Sequence, residues 1–103
     1  MDKQKYLEKY FTKLRSIMDF DDEKIKNLIT VSEILLNTNK SGKKTLIFGN
    51  GGSAAIASHF SVDITKNARV RCVNYNESDL LTCFSNDFGY EKWVEKCIEY
   101  YGD

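Results

Sequence analysis

The sequence is short of the features that place a protein quickly. In 103 residues there is no proline, one histidine (His59) and three cysteines. Cys72, Cys83 and Cys97 are odd in number and form no Cys-x-x-Cys pair. That argues against a disulfide framework and against zinc-finger spacing. They are expected to be reduced packing residues in a cytoplasmic protein. Neither charge is in surplus, since 15 Lys and Arg offset 15 Asp and Glu. A groove that neutralises nucleic-acid phosphates needs a basic excess on one face, so nucleic acid is not an expected partner. No apolar run approaches the roughly 18 residues of a membrane span. No apolar signal-peptide core follows Met1-Asp2-Lys3-Gln4-Lys5, and no membrane partner is expected. Internal repeats and low-complexity tracts are missing too. What remains is 42% hydrophobic and 13% aromatic, the make-up of one small folded domain or part of one.

Tyr6, Leu7, Tyr10, Phe11, Leu14, Ile17 and Met18 recur at helical intervals, with charged residues between them. Asp19-Phe20-Asp21-Asp22 breaks the pattern, and either late Asp is placed to cap a second helix. That helix carries Ile25, Leu28, Ile29, Val31, Ile34, Leu35 and Leu36, a stripe wide enough to predict packing on two sides. Gly42 supplies the left-handed residue that ends it. Thr45-Leu46-Ile47-Phe48 has no polar alternation and predicts a strand buried on both faces, as in a parallel sheet covered by helices. Gly49-Asn50-Gly51-Gly52-Ser53 leads into a helix over 54–64 with Ser53 as its N-cap, and a second strand is expected over 70–73. A short helix over 80–84, a turn at Asn86-Asp87-Phe88-Gly89 and a final helix from Tyr90 to Tyr101 complete the order. The division expected is a helical hairpin over 1–42 and the start of an α/β domain over 43–103. The fold class is α/β, a doubly wound parallel sheet. Two strands do not bury a parallel sheet, so the domain is expected to be truncated after them.

The strand–glycine turn–helix element carries the chemistry. Glycines let the backbone turn sharply and approach a ligand, and the N–H groups opening the helix attract an anion. Ser53 adds a hydroxyl, so a phosphate or phosphorylated sugar is the natural guest. A plain tight turn with a serine cap fits the same spacing. Gly49-x-Gly51-x-x-Ala54 also fits a degenerate dinucleotide pattern, but Asn74 and Tyr75 stand where that fold needs an acid for the ribose. No Lys-Ser/Thr pair follows the glycines, which removes the nucleotide P-loop. His59 and Asp63 lie four apart on one helical face, where they form either a metal pair or a surface contact. Asp87 reaches the same crevice or caps the final helix.

Phe48-Gly49-Asn50-Gly51-Gly52-Ser53-Ala54-Ala55, then Ser58-His59-Phe60 and Asn86-Asp87-Phe88-Gly89-Tyr90, resembles the sugar isomerase (SIS) domain family. Within it, the resemblance is to the phosphoheptose isomerases and covers essentially the whole chain. It implies a cytoplasmic homotetramer with active sites between subunits, acting on sedoheptulose 7-phosphate in bacterial surface-polysaccharide synthesis. Carried over by position, the turn Asn50, Gly51, Gly52 and Ser53 takes the substrate, with Ser53 on the phosphate. Asn50 and Asp87, with Asn86 beside it, hold sugar hydroxyls. His59 is a zinc ligand, and Asp63 falls where the isomerases have a glutamate that ligates the metal and has also been assigned as the base. The segment from Asp63 to Val70 is shorter than in those enzymes. The Ser/Thr-rich phosphate loop, and the Gln and His completing the zinc site, lie in the part of the family pattern beyond Asp103. The chain is therefore expected to hold an incomplete active site. The leading expectation is a ketose–aldose isomerase working through an enediol. The alternative is a non-catalytic SIS module that binds a phosphosugar or a replication-initiator-type protein partner. Retention of an acid at Asp63 favours the enzyme.

Overall fold

Asp2 and Asp21 start the two leading helices in the same way. Each carboxylate accepts the backbone N–H three residues on, that of Lys5 at 3.2 Å and of Lys24 at 2.9 Å. The computed structural model describes all 103 residues. The elements are α1 (Lys3–Ile17), α2 (Asp22–Lys40), β1 (Thr45–Ile47), α3 (Gly52–Ala68), β2 (Cys72–Asn74), α4 (Ser78–Phe88), a 3₁₀ turn (Tyr90–Lys92) and α5 (Trp93–Tyr101). They fall into two units, Met1–Glu33 and Ile34–Asp103.

In the first unit the expected stripe is present along α1, where Tyr6 stacks on Tyr10 and Phe11 meets Tyr10 edge-on at 5.5 Å. No residue of α1 or α2 is buried. The two-sided packing expected of α2 is not found: Ile25, Leu28, Ile29 and Val31 stay exposed, as do Ile34 and Leu36 in the part of α2 that belongs to the second unit. A wide stripe measures how much apolar surface there is to cover, not what covers it. Gly42 ends α2 as expected, at φ 75°.

In the second unit β1 and β2 pair in parallel, Thr45 opposite Cys72, Leu46 opposite Val73 and Ile47 opposite Asn74. The strands are shorter than expected, and β1 is half-buried rather than buried on both faces. Each strand of this two-stranded sheet has one edge without a strand partner, and β1 stays part-exposed along its whole length. β2 starts two residues late because Arg69 caps α3 in the left-handed region and the Arg71 N–H turns to the Asn39 side chain. Asn39 also donates to the Arg69 carbonyl, so its amide stands in for a neighbouring backbone. The core consists of Ala57, Val70, Cys72, Trp93 and Cys97. Phe48 meets Trp93 edge-on, and Tyr75 stacks on Tyr101 at 4.5 Å, which ties α5 to the ends of both strands. Cys72 and Cys97 are the packing residues expected, whereas Cys83 is exposed; all three are free thiols. α4 runs on past the expected helix over 80–84, and Asn86, Asp87 and Phe88 form its last turn rather than a loop. Phe84 and Phe88, four apart, meet edge-on at 5.9 Å and hold that turn helical until Gly89, at φ 92°, ends it.

Candidate active site

The glycine turn between β1 and α3 is splinted by the end of β2. Asn76 takes both backbone groups of Gly49: its Oδ1 accepts the N–H at 3.1 Å and its Nδ2 donates to the carbonyl at 2.7 Å. Asn74 donates to the Ile47 carbonyl at 2.8 Å and to Asn76 Oδ1 at 3.0 Å. Its own Oδ1 accepts from the Asn76 N–H and from the Ser58 hydroxyl on α3. Two asparagines thus join β1, the turn, α3 and β2 through hydrogen bonds alone. A side chain at Gly49 would overlap the Ser53 carbonyl, so the turn closes only with glycine there.

Ser53 is not the N-cap expected. Gly51 holds that place at φ 57° and ψ −123°, a conformation open only to glycine, and Ser53 is the second residue of α3. Its hydroxyl donates back to the Asn50 carbonyl at 2.7 Å and accepts the Asn50 N–H at 2.9 Å, closing a small polar ring. The Ser53 and Ala54 N–H groups are also spent, on the carbonyls of Asn50 and Gly51. The donors left free at this helix end are the N–H groups of Gly51 and Gly52, on exposed residues. The stretch of open donors is therefore narrower, and one residue earlier, than the expected span from Gly52 to Ala54.

His59 and Asp63 lie further along α3, with Nε2 and Oδ2 3.2 Å apart and both side chains well exposed. They edge a shallow depression of about 430 Å³ whose floor is Ala55, Ile56 and Phe60. A protein zinc site takes three or four side-chain ligands. No third His, Cys, Asp or Glu gathers with this pair, so within these residues it offers two ligand positions and no complete site.

Asn86 and Asp87 end α4. Asn86 Nδ2 donates to Asp87 Oδ1 at 3.1 Å, and the Cys83 thiol donates to Oδ2 at 3.6 Å. That hydrogen bond and the carboxylate's charge push the Cys83 thiol up, which keeps it a proton donor. No hydrogen bond joins Asp87 to the glycine turn. The link between the two regions is Tyr90, whose hydroxyl donates to Asn50 Oδ1. The sequence reading gave no role in the site to Asn74, Asn76 or Tyr90. Asn74-x-Asn76 at the carboxyl end of a strand beside a glycine turn was the available signal, because ligands of open parallel sheets bind at that edge.

A parallel α/β unit whose first strand runs through a splinted glycine turn into a helix with open amides belongs to the open-sheet class that binds ligands at the carboxyl ends of its strands. The chain belongs to the SIS domain family, whose sequence profile matches residues 9–80. It is similar to the phosphoheptose isomerase of Sodalis glossinidius at 32% identity, covering 87% of this chain and 50% of that protein. It is similar to that of Fusobacterium nucleatum at 34% identity, covering 89% of this chain and 50% of that protein. The solved structure of phosphoheptose isomerase GmhA from Neisseria gonorrhoeae shares its fold with a TM-score of 0.83 at 26% identity, over 96% of this chain and 54% of that one. The chain spans about half the length of the curated relatives it matches.

Proposed function

We propose that this chain supplies the anion-binding half of a phosphoheptose isomerase, which converts sedoheptulose 7-phosphate to D-glycero-D-manno-heptose 7-phosphate for bacterial surface polysaccharide. The observation that carries this reading is the splinted turn. Gly51 and Gly52 present free N–H donors to a phosphate, in a fold shared with a phosphoheptose isomerase. Asn50 and Ser53 lie beside those donors, and Asn86 and Asp87 are the further hydroxyl-binding groups. The reaction moves a proton between adjacent carbons and needs a base together with an electrophile for the developing oxyanion. Asp63 is the carboxylate assigned as base or metal ligand. Bound zinc would polarise the sugar carbonyl. It would take His59 and Asp63 and at least one ligand from outside these residues. The exposed apolar residues of α1 and α2 are the surface through which copies assemble into a homo-oligomer in the cytoplasm. No helix is long and apolar enough to cross a membrane.

The test is a titration of the 15N-labelled chain. Sedoheptulose 7-phosphate is expected to move the Gly51 and Gly52 amide signals, and unphosphorylated sedoheptulose is not. Equal response to both sugars, or none to either, overturns the reading. The rival reading is a non-catalytic SIS module. A longer SIS chain carrying this segment would then bind the sugar phosphate without turning it over.

A further inference from the structure

We infer that Tyr90 is a positioning residue for substrate, acting through Asn50; this rests on the phosphosugar reading of the glycine turn. Gly89, at φ 92°, ends α4 and starts the 3₁₀ turn, throwing Tyr90 back across the sheet edge to a residue 40 positions earlier. There its hydroxyl donates to Asn50 Oδ1. The backbone of Asn50 is already fixed by Ser53, which accepts its N–H and donates to its carbonyl. With both held, the only freedom left to Asn50 is rotation of its side-chain amide.

An amide free to rotate offers oxygen and NH₂ to a ligand about equally. A phenol is a good donor and a poor acceptor, because its lone pair is drawn into the ring. It therefore selects the rotamer with Oδ1 facing Tyr90. Asn50 Nδ2 is then turned away with two N–H donors, and neither has a partner in the chain. Asn50 is exposed and adjoins the free N–H groups of Gly51 and Gly52. One end of the site thus presents backbone donors to a phosphate and a side-chain amide, of fixed sense, to a sugar oxygen. Tyr90 sets that sense without touching the sugar. It is half exposed and outside the core, so its hydroxyl is not needed for folding.

The experiment compares wild-type chain with Tyr90→Phe by NMR, following the Asn50 side-chain NH₂ pair while adding sedoheptulose 7-phosphate or inorganic phosphate. In the free wild-type chain the pair is expected as one sharp set. In Tyr90→Phe it is expected to shift toward the averaged position of a freely rotating amide, because an exposed side chain flips in ps–ns. Affinity for the sugar phosphate is expected to fall about fivefold or more, with affinity for inorganic phosphate unchanged. Tyr90→Leu, which also lacks the hydroxyl, is expected to match Tyr90→Phe, while Asn50→Ala is expected to abolish the sugar-over-phosphate preference altogether. A free-state NH₂ pair identical in wild type and Tyr90→Phe overturns the positioning role. So does an equal loss of affinity for both ligands, which is the mark of a merely structural contact. If wild type binds neither ligand, the phosphosugar reading fails and takes this one with it. If wild type binds sugar phosphate and Tyr90→Phe binds it as well, only the Tyr90 inference fails.

Discussion

His59 and Asp63 show how little a spacing decides without its surroundings. Four residues apart on α3, they meet at 3.2 Å, which suits a shared cation and equally suits a solvent-exposed pair worth about 0.2–0.5 kcal/mol. The two cases separate on metal binding. In a longer chain that carries the remaining ligands, if they share zinc, His59→Ala and Asp63→Ala are each expected to remove the metal seen by equilibrium dialysis, since two ligands at this spacing act together. Unchanged zinc in His59→Ala eliminates the metal reading. Sugar-phosphate binding at Gly51 and Gly52 should weaken far less in either variant, because about two to three helical turns separate the sites. Gly49 is a sharper case. A Cβ there meets backbone atoms of Ser53 and Ala54, which no rotamer change relieves. Gly49→Ala is expected to cost at least about 1–3 kcal/mol in urea unfolding and to abolish the phosphate-induced shifts at Gly51.

At the scale of elements, short strands are held by side chains doing the work of missing backbone neighbours. Asn39 bridges the end of α2 to the approach to β2, and Asn76 bridges the end of β2 to the glycine turn. Asn76→Ala leaves both polar groups of Gly49 unpaired and part-buried, at about 1–3 kcal/mol for each group. It is expected to destabilise the chain and to loosen the turn, seen as faster hydrogen exchange at Gly49. Asp103 closes the opposite end of the sheet. Its carboxylate accepts from Lys44 Nζ at 2.8 Å, from the Lys44 N–H at 3.1 Å and from Arg71 Nη2 at 2.8 Å. The Lys44 side-chain hydrogen bond, with the charges of Lys44 and Arg71, holds its pKa below the ordinary 3.8. A carboxyl lowered in the folded state stabilises fully above its unfolded pKa, and that contribution is lost as pH falls through the lower folded value. Asp103→Asn is therefore expected to destabilise the chain at neutral pH and to reduce the loss of stability on acidification below about pH 4. Thermal unfolding of both proteins across that range checks it. An unchanged acid limb shows the clasp to be idle.

Taken whole, the molecule has a small core and a large apolar surface. Five hydrophobic residues are buried, and Trp93 is the largest of them. Trp93→Ala is expected to cost about 3–5 kcal/mol, enough to abolish the cooperative transition in a chain with so little else inside. The outward apolar residues of α1 and α2 make self-association the expected state. Sedimentation should show a mass rising with concentration, and Leu28→Asp, on the exposed face of α2, should lower it. A monomer at all concentrations would remove the oligomer proposal. Turnover is a separate matter. Purified chain with sedoheptulose 7-phosphate and zinc is expected to show only background isomerisation, because two ligand positions do not make a zinc centre. Robust activity that disappears in Asp63→Ala would prove these residues sufficient.

Element order, the parallel α/β class, the glycine turn and the family were all legible in the sequence, because periodicity and a run of glycines are local facts. The Phe48–Ala55 and Asn86–Tyr90 segments fixed the family by their chemistry and spacing. Where each element stops was less legible. α4 runs to Phe88 because one aromatic packs on another a turn away, and Ser53 yields the cap to Gly51 because only glycine adopts that backbone. The splint was not legible. Asn74, Asn76 and Tyr90 are ordinary polar and aromatic residues along the chain, 24 to 40 positions from Asn50. Their roles exist only once parallel pairing sets Asn74 beside Ile47 and the reversal at Gly89 brings Tyr90 onto Asn50. Local sequence decides which conformations a segment prefers, and tertiary structure alone decides which distant hydrogen-bonding groups are left facing each other.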